Sequence, residues 1–249
     1  MKEAACIVSI SPLRAEASDK SEIVSQLLFG DCVQIINITY PWAEVIVFDD
    51  NYRGFVDYKH LQPLSNKEYK RWVNGLDYVY EREITIQPQS GGIQYIPRGS
   101  RIPADVDTFN IGDLQFEVLE DNGEASNKIY DLALEYLNTP YLWGGKSPYG
   151  IDCSGLTQIV CRLCGFNLPR DANEQVDLGT EISFDDVEPG DLVFFINNTN
   201  HIHHVGIAGP NHTIIHASGH VRQDQFRPEG IYREDKEEFT HRLYRIIRL

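Results

Sequence analysis

One segment narrows the possibilities for this chain sharply. Tyr141-Leu142-Trp143-Gly144-Gly145 leads into Asp152-Cys153-Ser154-Gly155. From there the apolar residues fall at Leu156, Ile159, Val160, Leu163 and Cys164, the spacing of one buried helical face. Asp152 stands where an N-cap belongs and Gly165 where a C-cap belongs. The pattern therefore predicts a helix with Cys153 in its first turn, where unpaired N–H groups and the helix dipole favour a thiolate. A nucleophile needs a base, and histidines follow in His204-Val205-Gly206-Ile207 and Ile214-Ile215-His216-Ala217. Both segments read as strands with a histidine near one end. A cysteine at a helix start with strand-borne imidazoles downstream is the arrangement of a cysteine hydrolase.

Charge and cysteine usage narrow the class further. A net charge of −15 argues against nucleic acid or an anionic membrane surface as a partner. No apolar run approaches the roughly 18 residues of a membrane span. The first residues, Met1 to Val8, lead directly into a strand-like stretch and lack the apolar core and cleavage site of a signal peptide. Five cysteines without disulfide-like spacing suggest free thiols and the cytoplasm; an exported protein whose signal had been removed would look the same. Cys161 and Cys164 form a Cys-x-x-Cys with no second pair, at core spacing on one helix, and are read as buried helix residues.

Along the chain, residues 1–65 read as a small β-barrel, with short apolar stretches at 6–10, 32–38, 43–48 and 54–57. Residues 66–75 read as a short helical connector ending at Gly75. Residues 76–123 carry further short strands, at 78–80, 84–86, 93–96, 101–103 and 114–119, read as a second, divergent barrel or as part of one extended β-domain. Residues 124–249 hold a helix from Ser126 to Leu137, the Cys153 helix, strands at 192–196, 204–208 and 213–217, and a closing strand at 241–249. A helix packed on an antiparallel sheet, with Cys on one and His on the other, is an α+β arrangement.

Trp-Gly-Gly, Asp-Cys-Ser-Gly, Gly190-Asp191-Leu192-Val193-Phe194-Phe195, His-Val-Gly-Ile and Ile-His-Ala occur in this order over about residues 125–249. The set resembles the NlpC/P60 cell-wall peptidases, which implies a papain-like catalytic domain. Leu28-Phe29-Gly30-Asp31 and Tyr52-Arg53-Gly54-Phe55-Val56 resemble the bacterial SH3-like (SH3b) domains often joined to them. The resemblance implies Cys153 as nucleophile, His204 as base and His216 as the member that orients it. It also implies Tyr141 as a donor to the oxyanion, together with an N–H at the start of the Cys153 helix. Within the family, the chain is similar to the YkfC-type γ-D-glutamyl-L-diamino acid endopeptidases. That likeness implies that Asp171, Glu16 and Tyr52 bind the free amine of the substrate, with Ser154 retained. Ala172 stands where the family often has Ser, which puts one expected ligand hydrogen bond in question.

The expected reaction is hydrolysis of the γ-D-glutamyl-to-diamino-acid bond in murein peptides with a free N-terminal L-Ala, such as L-Ala-γ-D-Glu-diaminopimelate, by a monomer that needs no cofactor. One alternative is a hydrolase or amidase acting on intact peptidoglycan with the barrels as wall-binding modules. The other is an inactive wall-binding module. A zinc site from His201, His203, His204 and His216 is disfavoured, because strand alternation puts His201 and His203 on one face and His204 on the other.

Overall fold

The computed structural model describes residues 2–104, 106–120, 122–124, 126 and 128–249. The chain divides into two units, Met1–Ala125 and Ser126–Leu249. In the first unit, β1 (Lys2–Cys6), β2 (Ile10–Arg14), β3 (Ile23–Leu28), β4 (Cys32–Thr39), β5 (Trp42–Val47), β6 (Arg53–Asp57) and β7 (Leu61–Leu64) form one antiparallel sheet. Its order is β3-β2-β6-β5-β4-β1-β7. Alternation decides which side chains enter: along β5, Ala43, Val45 and Val47 are buried while Trp42, Glu44 and Ile46 are only half-buried. Leu13, Leu27, Val33 and Val56 complete this core.

Residues 66–75, expected as a connector, contain α1 (Asn66–Asn74). Ser65 and Glu68 close a reciprocal capping box at its start. Trp72 is buried, and its indole N–H donates to the Gly30 carbonyl at 3.0 Å. Beyond it come β8 (Leu76–Tyr78), β9 (Glu83–Pro88), β10 (Gln94–Pro97), β11 (Arg101–Pro103), β12 (Thr108–Ile111) and β13 (Leu114–Val118). They form a four-stranded sheet β10-β9-β13-β12 and a pair β11-β8. The sequence reading missed β12. These strands do not close a core of their own: Val79, Ile84, Ile96, Phe109 and Phe116 pack with Trp72 and with Ala5, Phe29 and Cys32 of the first sheet. Arg101 ties the two strand sets together. Its N–H donates to the Phe29 carbonyl at 2.8 Å and its guanidinium meets Asp49 at 2.6 Å.

The second unit contains α2 (Ile129–Leu134), the short pair β14 (Lys146–Ser147) and β15 (Gly150–Ile151), α3 (Cys153–Leu163), α4 (Ala172–Gln175) and β16 (Thr180–Ile182). Then follow β17 (Leu192–Ile196), β18 (Ile202–Gly209), β19 (Thr213–Ser218), β20 (His220–Arg227), β21 (Gly230–Arg233) and β22 (Glu238–Arg248). The sheet order is β16-β22-β17-β18-β19-β20-β21, and β21 also pairs with β22, so six strands close on themselves. The helix expected over Ser126–Leu137 is shorter. The N-cap is Lys128 rather than Ser126, whose hydroxyl only accepts from the Lys128 N–H at 3.3 Å, and beyond Leu134 the N–H groups of Tyr136 and Leu137 bond three residues back. That tighter winding ends the α-helix early. Asn127 lies outside the described residues.

Trp72→Ala should destabilise the N-terminal unit by about 3–5 kcal/mol, because it opens a cavity in the shared core and strands the Gly30 carbonyl. Urea unfolding of the purified protein measures this; a residue in a mere tether would shift the midpoint little.

Candidate active site

Asp152 caps α3 from the extended backbone region. Its carboxylate accepts from the Gly155 N–H at 2.7 Å and the Gly144 N–H at 2.8 Å. It also pairs with buried Arg170, at 2.5 and 3.0 Å from the two terminal nitrogens. One carboxylate thus fixes the helix start, the glycine turn and the segment after the helix. The turn must lie very close: a Cβ on Gly155 would sit 2.2 Å from the Gly145 carbonyl oxygen. Cys153, buried at 8% exposure, is therefore held at the first position of α3.

The base side is built by pairing of β18 with β19 in the register Gly206↔His216. His204 lies on the inner face and is buried, whereas His203 is exposed, the alternation expected from the sequence. The Nε2 atom of His204 lies 2.8 Å from Nδ1 of His216. The N–H of Val205, next to His204, and that of Ser154 both donate to the Cys153 sulfur. Nδ1 is therefore the ring nitrogen that His204 has left for the thiol. His241 of β22 stacks on His204 with ring centroids 4.2 Å apart and planes 27° apart, and His203 stacks on His241 in turn.

Two contacts extend the site beyond the residues read from sequence. Nε2 of His216 lies 2.9 Å from Oδ2 of Asp224, whose Oδ1 accepts from Arg222 at 2.7 Å. Asp224 and Arg222 sit on β20, a polar strand that the sequence reading passed over. Its two buried apolar residues, Val221 and Phe226, stand five positions apart, so the strand carries no period-2 signal.

Burial dominates the proton affinities. It pushes the Cys153 thiol up to about 11, with the neighbouring Asp152 charge adding to the shift. It holds His204 well below the ordinary imidazole range, helped by the adjacent His216, His241 and His203. Burial also lowers His216, opposed by the hydrogen bond to Asp224. At Asp224 burial works upward, but the hydrogen bonds from His216 and Arg222 together outweigh it and keep the carboxyl below its usual value. Burial thus favours the uncharged thiol and the uncharged imidazole in the free site.

Tyr141 is half-buried and anchored by its N–H to the Gly219 carbonyl at 3.0 Å and by a bridge to Ile151, two residues before the cysteine. Burial, then the proximity of Cys153 and Asp152, raises its hydroxyl to about 12, so it remains a donor at any working pH. The hydroxyl of Ser154 accepts from Arg170 at 2.8 Å, leaving its backbone N–H as the part that faces the sulfur. Asp171 caps α4. It lies between Arg170, bound to Asp152, and Gln175, whose amide donates to the Ser154 carbonyl at 3.1 Å and accepts from Thr157. Asp171 is thus held against the first turns of α3. Glu16 and Tyr52 belong to the N-terminal unit. The pairing Arg14↔Phe55 brings the end of β2 and the start of β6 together, so the two residues lie at one end of that sheet. Glu16 is exposed and Tyr52 half-buried. Among the described residues no group of three or more His, Cys, Asp or Glu is arranged to hold a metal ion.

A capped thiol at a helix start, facing a buried imidazole relay on a closed sheet, is the apparatus of a cysteine peptidase. Comparison with known proteins agrees: residues 138–240 match the NlpC/P60 family and residues 13–61 the bacterial dipeptidyl-peptidase Sh3 domain. The chain thus carries an NlpC/P60 domain preceded by a bacterial SH3 domain. It is 40% identical over 92 residues to a γ-D-glutamyl-L-lysine dipeptidyl-peptidase of Bacillus subtilis, a match covering 36% of this chain and 31% of that protein. The chain thus aligns with about a third of that relative's length. A Bacillus cereus protein of the same name is 22% identical over 251 residues, covering 85% of this chain and 72% of the relative. In fold, the chain resembles the crystal structure of an NlpC/P60 family protein from Bacillus cereus, with a TM-score of 0.81, 19% identity and 99% of each chain covered.

The proton affinities give a spectroscopic expectation. Thiolate absorbance near 240 nm, taken as wild type minus Cys153→Ser, should be negligible at pH 7 and should rise only as pH approaches about 11. The acid limb of kcat/KM should fall below the ordinary imidazole value, because His204 binds its proton only at lower pH.

Proposed function

We propose that this protein hydrolyses the γ-D-glutamyl-to-diamino-acid bond of murein peptides that carry a free N-terminal L-Ala. The observation that supports this most directly is the Cys153 thiol set beside His204, together with Asp171 held against the same helix. The names of the two Bacillus relatives point to the same bond.

In the reaction the Cys153 proton passes to Nδ1 of His204 as sulfur attacks the glutamyl γ-carbonyl carbon. The carbonyl oxygen becomes an oxyanion and accepts from the Tyr141 hydroxyl and an N–H at the start of α3. Collapse breaks the C–N bond, and the His204 proton goes to the departing amine. Water then adds to the thioester with His204 again as base, releasing the γ-carboxylate and restoring the thiol.

Specificity for an unblocked peptide rests on charge. An ammonium bound by Asp171 makes a charge-assisted hydrogen bond stronger than a neutral one. The resemblance to the endopeptidases gives Glu16 and Tyr52 a part in the same recognition. A stem peptide in intact wall has that amine tied up as an amide and brings no positive charge. A soluble, free peptide is the substrate of a recycling enzyme, and the five free thiols support the cytoplasm as its compartment.

Cys153→Ala and His204→Ala should each lower kcat/KM on L-Ala-γ-D-Glu-diaminopimelate by roughly a thousandfold or more. Acetylating the peptide's N-terminus should lower it by at least about a hundredfold. Asp171→Asn, Glu16→Gln and Tyr52→Phe should each penalise the free peptide more than the acetylated one. Mass spectrometry of the products reads all of these. Equal turnover of free and acetylated peptides would instead favour action on the intact wall.

A further inference from the structure

Asp224 is joined to the base through one imidazole, and the direction of each hydrogen bond in that chain follows from elementary bookkeeping of protons. Its carboxyl is held below its usual value, so at neutral pH it can only accept. Nε2 of His216, 2.9 Å away, must therefore carry the proton. A neutral His216 then has a bare Nδ1, which can only accept from Nε2 of His204 at 2.8 Å. With its proton on Nε2, His204 presents an unprotonated Nδ1 to the thiol. That is the one tautomer able to act as a base.

We propose that Asp224 is a positioning residue that selects the base-competent tautomer of His204 through His216, and that Arg222 locks the direction of the relay. This rests on the catalytic reading of Cys153 and His204 given above. His204 otherwise faces His241 and His203, while His216 faces Asp224 with Arg222 and Arg233 behind it.

Arg222 makes the proposal sharply testable. It donates to Oδ1 of Asp224 at 2.7 Å and has no lone pair to offer. In Asp224→Asn the carbonyl oxygen must stay toward Arg222, which turns the amide NH2 toward Nε2 of His216. That nitrogen must now accept, so His216 carries its proton on Nδ1 and donates to Nε2 of His204. The proton of His204 moves to Nδ1, and the base becomes a donor facing the thiol. In Asp224→Ala nothing dictates a direction, and the productive tautomer stays accessible. The near-isosteric change is therefore expected to be the more damaging one, the reverse of the order a packing role would give.

The test compares Asp224→Asn and Asp224→Ala with wild type by two readouts. One is kcat/KM on the murein tripeptide. The other is the rate at which iodoacetamide labels the Cys153 peptide, followed by mass spectrometry. Melting curves confirm that each variant is folded. At pH 7, Asn is expected to lower both rates by at least about a hundredfold and Ala by no more than about tenfold. As pH approaches about 11, where the thiol ionises without a base, labelling of the Asn variant should catch up with wild type. A folded Ala variant as slow as or slower than the Asn variant would overturn the proposal, as would an Asn variant labelled at the wild-type rate at pH 7. Labelling needs no peptide, so a failure of the substrate assignment leaves this ordering readable. Persistence of hydrolysis in Cys153→Ala would identify a failure of the catalytic reading itself.

Discussion

The geometry of the site depends on the buried contact between Asp152 and Arg170. A carboxylate out of water requires a counter-charge and full hydrogen bonding, and Asp152 has both: Arg170 on one side and the N–H groups of Gly144 and Gly155 on the other. These partners come from three stretches of chain, which are also tied together by hydrogen bonds from Arg170 to the Ser154 hydroxyl and from the Asp152 N–H to the Gly145 carbonyl. Removing either charge would leave the other buried and unpaired, and the cysteine would lose the frame that sets its position. Burial raises the thiol's proton affinity most, Asp152 adds to the rise and Arg170 opposes it. Deep placement thus works against resting ionisation, and the imidazole relay supplies a proton acceptor.

Much of this was legible in the sequence because it was periodic. The apolar spacing from Leu156 to Leu163 marked the helix α3, with Asp152 and Cys153 at its N-cap and first position. The structure, however, buries α3 on every side rather than on one face, and its C-cap is Cys164, not Gly165. Alternation in His203-His204 separated the exposed ring from the buried one. What escaped was whatever lacked a period. The strand β20 is rich in Arg, Gln and Asp, so its two buried apolar residues did not announce a strand, and Asp224 went unnoticed with it. Arg170 went unread, since nothing local marks a side chain whose partner lies 18 positions earlier. In the N-terminal unit some short strands were visible, but β2, β3, β7 and β12 were not, and neither was the shared core. Burial of Phe29 against Phe109 and Phe116 is a long-range fact that no local pattern carries.

The relay and the stack on His204 have complementary roles. The hydrogen-bonded path through His216 sets where the proton sits, while the face-on contact from His241 holds the ring plane. Burial lowers the proton affinity of His241 to about 4, with His216 and His203 adding to the shift, so the stacked ring stays uncharged through the neutral range. A neutral aromatic surface against the base covers one face of the imidazole without adding a repelling charge.

The position of β22 has a consequence for how the molecule comes into being. This strand, last in order along the unit, lies between β16 and β17 and also meets β21, so it is the stave that closes the ring of strands. It also carries His241. During synthesis the cysteine helix and both histidine strands emerge from the ribosome before the stave that completes their enclosure. A nascent chain would therefore hold every group of the catalytic relay yet lack the wall that covers one face of its base. Competence would arrive late and all at once, so that the proposed activity would be tied to finished folding.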